Sequence, residues 1–322
     1  MSNIGFEDFQ FYHVKARLWR VICTILAAVL CLGCHTISNH LVARQDGRVP
    51  RAPETGVMLG AEARDLGLVD APGAVLFVHG LVMTGNSFAD VPEKVAAHGW
   101  RVRVMRLPGH GTSPRDLENV TTEELLQAVE SELAALKKDY PKVVLVGHSM
   151  GGSLGTLVAA NDDVAGLVLA APYYAVTNRW YYLRRPEKWV RFLAQFMRWG
   201  YKSNTFMQIK RREARDQIQG YRWAPTRSLV TLTQLGEQAA NPDVLRRVTC
   251  PVLLIHARGD VSASPRAAQK AFEQMGSAQK KTVWLENSNH HIFWDYDREF
   301  VADEILAFVE AVIDHESHQS HE

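Results

Sequence analysis

Ser149 lies in Gly147-His148-Ser149-Met150-Gly151, directly after an aliphatic run from Lys142 to Val146 and directly before a helical pattern. Glycine on both flanks suits a strand-to-helix turn tight enough to hold the serine backbone in a strained conformation with its hydroxyl presented outward. A lone serine hydroxyl is a weak nucleophile and needs a base, itself oriented by an acid. Both appear downstream, each after a strand-like apolar run. Asp260 closes Ala257-Arg258-Gly259-Asp260, and His290 stands in Glu286-Asn287-Ser288-Asn289-His290-His291. Serine, acid and histidine in this order form a set for acyl transfer through an acyl-serine.

Each residue also has a plainer reading. Asp260 is placed to cap a turn before the helix at Ser264-Pro265, and His291 beside His290 projects in another direction. His79 and His148 are expected to shape the turns around the serine, and His110 sits between Gly109 and Gly111 in a loop of tight turns. None of these histidines has the carboxylate and cysteine company of a metal site, so neither metal nor cofactor is expected.

The elements that must position these residues alternate. Strands are expected at Ala74 to His79, Arg101 to Leu107, Lys142 to Val146, Val164 to Ala171, Val252 to Ala257 and Lys281 to Leu285. Helices are expected near Ser87 to His98, Thr122 to Lys138, Gly151 to Ala160, Pro265 to Met275 and Glu299 to Asp314. The last carries Phe300, Val301, Ile305, Phe308, Val309 and Val312 at helical spacing. Such alternation predicts an α/β fold with a mostly parallel sheet flanked by helices. It is interrupted once, at about 172–250, by a stretch with helical periodicity and no clear strand, expected to be a helical cap inserted before the acid-bearing strand.

These features together resemble the α/β-hydrolase superfamily, in particular its bacterial serine carboxylesterase and monoacylglycerol-lipase-like branch. The likeness runs from about Gly73 to the final helix. It includes His79-Gly80, Leu107-Pro108-Gly109-His110-Gly111, the Gly-His-Ser-Met-Gly-Gly turn, Pro251 to Ile255, Ser288-Asn289-His290 and Asp295 to Arg298. The resemblance implies Ser149 as nucleophile, His290 as general base and then acid, and Asp260 as the group orienting the imidazole. It also implies an oxyanion hole from the backbone N–H groups of Leu81 and Met150. Relatives with dehalogenase or epoxide-hydrolase activity carry aspartate where this chain has Ser149. His79-Gly80-Leu81 also lacks the glycine run of the HGGG branch.

Lys15, Arg17 and Arg20 precede the uncharged run Val21 to Gly33, which is shorter than the roughly 20 apolar residues of a membrane span. Basic residues, a short apolar run and a small residue have the form of an export signal over 1–33. Leu32-Gly33-Cys34 resembles the lipobox of bacterial lipoproteins, which implies lipidation of Cys34 and a membrane-anchored protein of the cell envelope. An uncleaved anchor or an ordinary leader is the alternative. Residues 34–55 are read as a tether, 56–315 as the hydrolase domain and 316–322 as a polar tail. Cys23 and Cys31 would leave with the leader, so no disulfide framework is expected, and Cys250 is read as a buried small residue. Lys and Arg total 36 against 35 for Asp and Glu, which gives no general reason for a nucleic-acid partner.

The cap segment is rich in aromatic and basic residues, with Trp189, Phe192, Leu193, Phe196 and Trp199 at helical spacing. They are expected to pack the cap and line an acyl pocket, or to meet a membrane surface. The expectation is a serine esterase acting on carboxylic esters such as monoacylglycerols or medium-chain lipid esters. A lysophospholipase or thioesterase with the same triad is the alternative, and an idle hydrolase fold serving as a surface binding protein is the alternative of another class.

Overall fold

Five strands read as aliphatic runs pair side by side. They are β2 (Ala74–Val78), β3 (Arg101–Val104), β4 (Val143–His148), β5 (Gly166–Ala170) and β8 (Val252–Ala257). With β9 (Lys280–Leu285) they make a parallel sheet, and the short β1 (Arg64–Leu66) joins β3 antiparallel at one edge, giving the order β1-β3-β2-β4-β5-β8-β9. β2, β4, β5 and β8 are buried along their whole length, because helices cover both faces. The computed structural model describes residues 35–177, 186–202 and 208–314. The leader 1–33, Cys34 and the polar tail lie outside them.

One face of the sheet packs on α3 (Thr122–Leu136), α4 (Met150–Ala159) and α8 (Pro265–Gln274); the other packs on α2 (Val91–Ala97) and α9 (Arg298–Asp314). α3 starts at a full capping box: Thr121 accepts from the Glu124 N–H while Glu124 accepts from the Thr121 N–H. In α9, Val301, Ile305 and Val309 are buried as their spacing predicts. Phe300, expected on the same face, is exposed.

Three segments depart from the sequence expectations. The segment read as a tether is helical over 35–46, labelled α1, and it buries Val42; Asn39 Oδ1 accepts from Trp199 Nε1 at 2.7 Å, so its polar residues serve docking onto the cap. The helix expected from Ser87 starts at α2 after a separate 3-10 turn at Gly85–Phe88. The cap is also not wholly helical. Around α5 (Pro186–Leu193), α6 (Thr226–Ala239) and α7 (Pro242–Arg247) it includes an antiparallel ribbon of β6 (Trp199–Tyr201) and β7 (Trp223–Pro225). Strands of three residues leave no period to read.

The aromatic residues of α5 differ most from expectation. Trp199, in β6, is buried, but α5 buries no residue; Trp189, Phe192, Leu193 and Phe196 are 39–52% exposed. They form an outward apolar face rather than packing the cap. Among the described residues no helix is long and apolar enough to cross a membrane.

Candidate active site

The serine turn has the geometry its glycines predict. Ser149 follows β4 at φ 55° and ψ −116°, a backbone conformation that side chains larger than hydrogen rarely adopt, and it caps α4. A Cβ on Gly151 would run into the Val78 carbonyl, and one on Gly147 into the Gly151 carbonyl, so α4 leaves the sheet at a distance only glycine permits. A Cβ at Gly80 would lie 3.0 Å from the Ser149 Cβ, so the loop after β2 passes directly beside the serine.

The structure brings Asp260 and His290 to this point from two neighbouring strand ends. His290 Nε2 is 2.9 Å from Ser149 Oγ, and His290 Nδ1 is 2.7 Å from Asp260 Oδ2. All three side chains are buried. Burial alone would raise the Asp260 carboxyl; the His290 charge and hydrogen bonds from His256 and His290 reverse this and hold it well below the usual carboxylate range. Its other oxygen accepts from the N–H groups of Ser262 at 2.7 Å and Ala263 at 3.0 Å. Asp260 therefore makes the turn contacts of the plainer reading and holds the histidine at the same time.

His291 does not reach the serine. It is buried, and neither ring nitrogen has a hydrogen-bond partner. His79 donates from Nδ1 to the Gly80 carbonyl at 2.9 Å and accepts at Nε2 from the Leu107 N–H at 3.2 Å, binding the two loops. His148 donates from Nε2 to the His290 carbonyl at 3.1 Å, and His110 from Nδ1 to the Pro108 carbonyl at 2.8 Å. Burial lowers His79 to about 4 and His110 and His148 to about 3, so all three are neutral at physiological pH. Burial pushes the Cys250 thiol up to about 12, so it stays protonated.

Two further residues take roles at the site that the sequence does not assign. His256, inside β8, is fully buried and places Nε2 3.2 Å from the same Asp260 oxygen that His290 meets. Its position four residues before Asp260 was the available signal, but a histidine in an apolar strand has no motif. Asp295 is also fully buried. It accepts from the N–H groups of Asn289 at 2.8 Å and of Lys210 and Arg211 at 2.9 Å each, tying the cap to the loop that bears His290.

The model of the alpha/beta hydrolase family matches residues 75–304, so the fold and this site define the class: the chain belongs to the alpha/beta hydrolase family and is a hydrolase. It is similar to a thermostable monoacylglycerol lipase of Bacillus sp. strain H-257, with 29% identity over 74% of this chain and 91% of that protein. A carboxylesterase of Bacillus subtilis strain 168 is 23% identical over 74% of this chain and 92% of its own length. Among solved structures, one from a study of LipS and LipT, two metagenome-derived lipolytic enzymes, superposes with a TM-score of 0.67 at 26% identity, covering 79% of this chain and 98% of the other.

Proposed function

We propose that the chain is a serine esterase that hydrolyses carboxylic esters, with lipid esters such as monoacylglycerols as its substrate class, through an acyl-enzyme. The observation that carries this reading is the continuous relay from Ser149 Oγ to His290 to Asp260, at 2.9 and 2.7 Å, on a strained turn. Ser149 Oγ attacks the ester carbonyl as its proton passes to His290 Nε2. Asp260 keeps the imidazole oriented with Nδ1–H donating to it. The tetrahedral oxyanion is assigned to the backbone N–H groups of Leu81, in the loop after β2, and of Met150, the first residue of α4. Collapse expels the alcohol, which takes the proton from His290. Water then repeats the sequence to release the acid. The relatives named above, a monoacylglycerol lipase and a carboxylesterase, support ester hydrolysis of this kind.

The same reading places the enzyme at a membrane surface in the cell envelope, tethered through a lipidated Cys34. Supporting it, α1 docks on the cap: His35 Nε2 is 3.0 Å from the Phe196 carbonyl, and Asn39 Oδ1 accepts from Arg198 Nη1 at 3.2 Å. A lipid tether at Cys34, next to this helix in the chain, would hold the exposed aromatic face of α5 near the bilayer.

A series of aryl esters and monoacylglycerols from two to sixteen acyl carbons tests the substrate class. Activity should peak at medium or long chains and vanish in Ser149→Ala. Activity confined to acetate and butyrate would refute the lipid-ester reading.

A further inference from the structure

Beside the serine, on the cap side, lies a small cleft walled by Val82, Met83, Lys202, Gly220, Tyr221 and His291. Its floor is fixed by backbone pairing between the loop that follows Leu81 and the cap. Met83 bridges Gly220, and the Tyr221 N–H donates to the Val82 carbonyl at 2.8 Å. A Cβ on Gly220 would collide with that same carbonyl, so the close approach depends on glycine. On the other wall, the His291 N–H donates to the Gln208 carbonyl at 3.2 Å, one residue along the chain from His290. The Met83 sulfur and the Ser149 Cβ both border Gly80, at 3.3 and 3.0 Å from where its Cβ would stand, so the cleft wall at Met83 stands close to the reacting serine.

Two of the polar side chains facing this cleft, His291 and Lys202, have unmet capacity. His291 is 1% exposed, and neither Nδ1 nor Nε2 has a hydrogen-bond partner. Burial, then the charges of Lys202 and His290, hold its pKa well below the ordinary value, so it is a neutral imidazole with one N–H to give. Lys202 is anchored by its backbone, whose N–H donates to the Arg222 carbonyl at 2.7 Å. Among the described residues, no carboxylate lies within ion-pair distance of its ammonium. Burial lowers the Lys202 pKa to about 8, which leaves it mostly charged at neutral pH. A partly buried cation without a counter-ion and a buried imidazole N–H without an acceptor are both unfavourable. One occupant relieves both: a group with a negative charge and acceptor oxygens.

We propose that the cleft between Lys202 and His291 is a subsite for an anionic group, a carboxylate or phosphate, carried by the ester substrate a few bonds from its scissile carbonyl. Lys202 supplies the charge and the His291 N–H a directional donor. This inference rests on the serine-esterase reading and deepens it by naming a feature of the substrate. The anion reaches the site on either half of the ester, as the far carboxylate of a dicarboxylic half-ester or as a phosphate on the alcohol.

The test compares kcat/KM for matched pairs that differ in charge. On the acyl side the pair is p-nitrophenyl hemiglutarate and p-nitrophenyl pentanoate; on the alcohol side it is 1-acylglycerol 3-phosphate and 1-acylglycerol. The wild type should prefer the anionic member about tenfold or more in one arm, and that arm identifies which half carries the charge. Lys202→Met should abolish the preference mainly through KM, Lys202→Arg should keep most of it, and Lys202→Glu should shift it toward a cationic choline ester. The gain in Lys202→Glu cannot arise from poor folding. No preference in either arm, or a preference unchanged in Lys202→Met, overturns the proposal. Failure of the underlying esterase reading looks different: the neutral esters too would go unhydrolysed, and a fluorophosphonate would not label Ser149.

Discussion

His256 and His290 converge on one oxygen of Asp260, at 3.2 and 2.7 Å. Two imidazole N–H groups and two backbone N–H groups thus share one buried acid, leaving it no freedom to turn away from His290. His256 acts as a positioning residue. Replacing it by phenylalanine removes one donor worth roughly 1 kcal/mol, so kcat should fall about three- to tenfold with little change in KM. His256→Gln would keep a donor and should recover part of the loss. Asp260→Asn should cost on the order of a thousandfold or more in kcat, as expected for loss of the orienting acid. Steady-state kinetics on one soluble ester separates these outcomes, and equal losses in KM and kcat for His256→Phe would contradict the positioning role.

The glycines of the turn differ in what they tolerate. At Gly151 an added methyl meets the Val78 backbone carbonyl, which cannot move without breaking the sheet, so Gly151→Ala should abolish activity and lower thermal stability sharply. Further along α4, a methyl on Gly155 would meet only the Leu167 Cδ1 at 3.0 Å, the end of a side chain that can rotate. Alanine there also gains helix propensity of about 1 kcal/mol. Gly155→Ala should therefore leave the melting temperature within a few degrees of wild type. Paired thermal melts check both.

Stability should fall early on acidification. His79, His110, His148 and His291 are buried and held below their ordinary value of 6.5, chiefly by burial. Below about 6.5 the unfolded chain takes up protons at these positions while the folded chain does not, until about pH 4 or lower. Each histidine therefore removes up to ~1.4 kcal/mol of stability per pH unit across that window. Asp260 acts oppositely and lower: its depressed value adds stability above about 4, lost only as the pH falls further. Urea unfolding at pH 7, 6 and 5 should show a steep decline, and a flat profile would contradict the neutral assignment of these histidines.

The outward face of α5 should govern membrane binding. Phe192 and Phe196 are 52% and 49% exposed and in mutual contact, with ring centroids 5.3 Å apart. Changing both to serine removes half-exposed apolar surface remote from the serine, so it should reduce sedimentation with anionic vesicles several-fold while leaving hydrolysis of a soluble short ester intact. Undiminished vesicle binding by the double variant would assign membrane contact to other residues.

The sheet and the serine turn were legible in the sequence because their signals are local. Five aliphatic strands sit within a few residues of their expected bounds, and Gly147, Ser149 and Gly151 carry steric requirements that only one geometry meets. The acid and histidine were legible through chain order. The rest depends on contacts across the chain. His256 becomes part of the site only when β8 lies beside β9, and Asp295 only when Lys210 and Arg211 fold back onto it. Periodicity marked the aromatic face of α5 correctly as a face, but periodicity does not tell inside from outside. The docking of 35–46 on the cap likewise rests on partners such as Trp199, more than 150 residues away.

The central claim, that Ser149 is a nucleophile activated by His290 and Asp260, is tested most directly by reaction with a fluorophosphonate followed by intact-mass and peptide mass measurement. The relay predicts one adduct per chain, on the peptide containing Ser149, formed rapidly by the wild type, slowly by His290→Ala and not at all by Ser149→Ala. An unmodified wild type, or equal modification of Ser149→Ala, would contradict it.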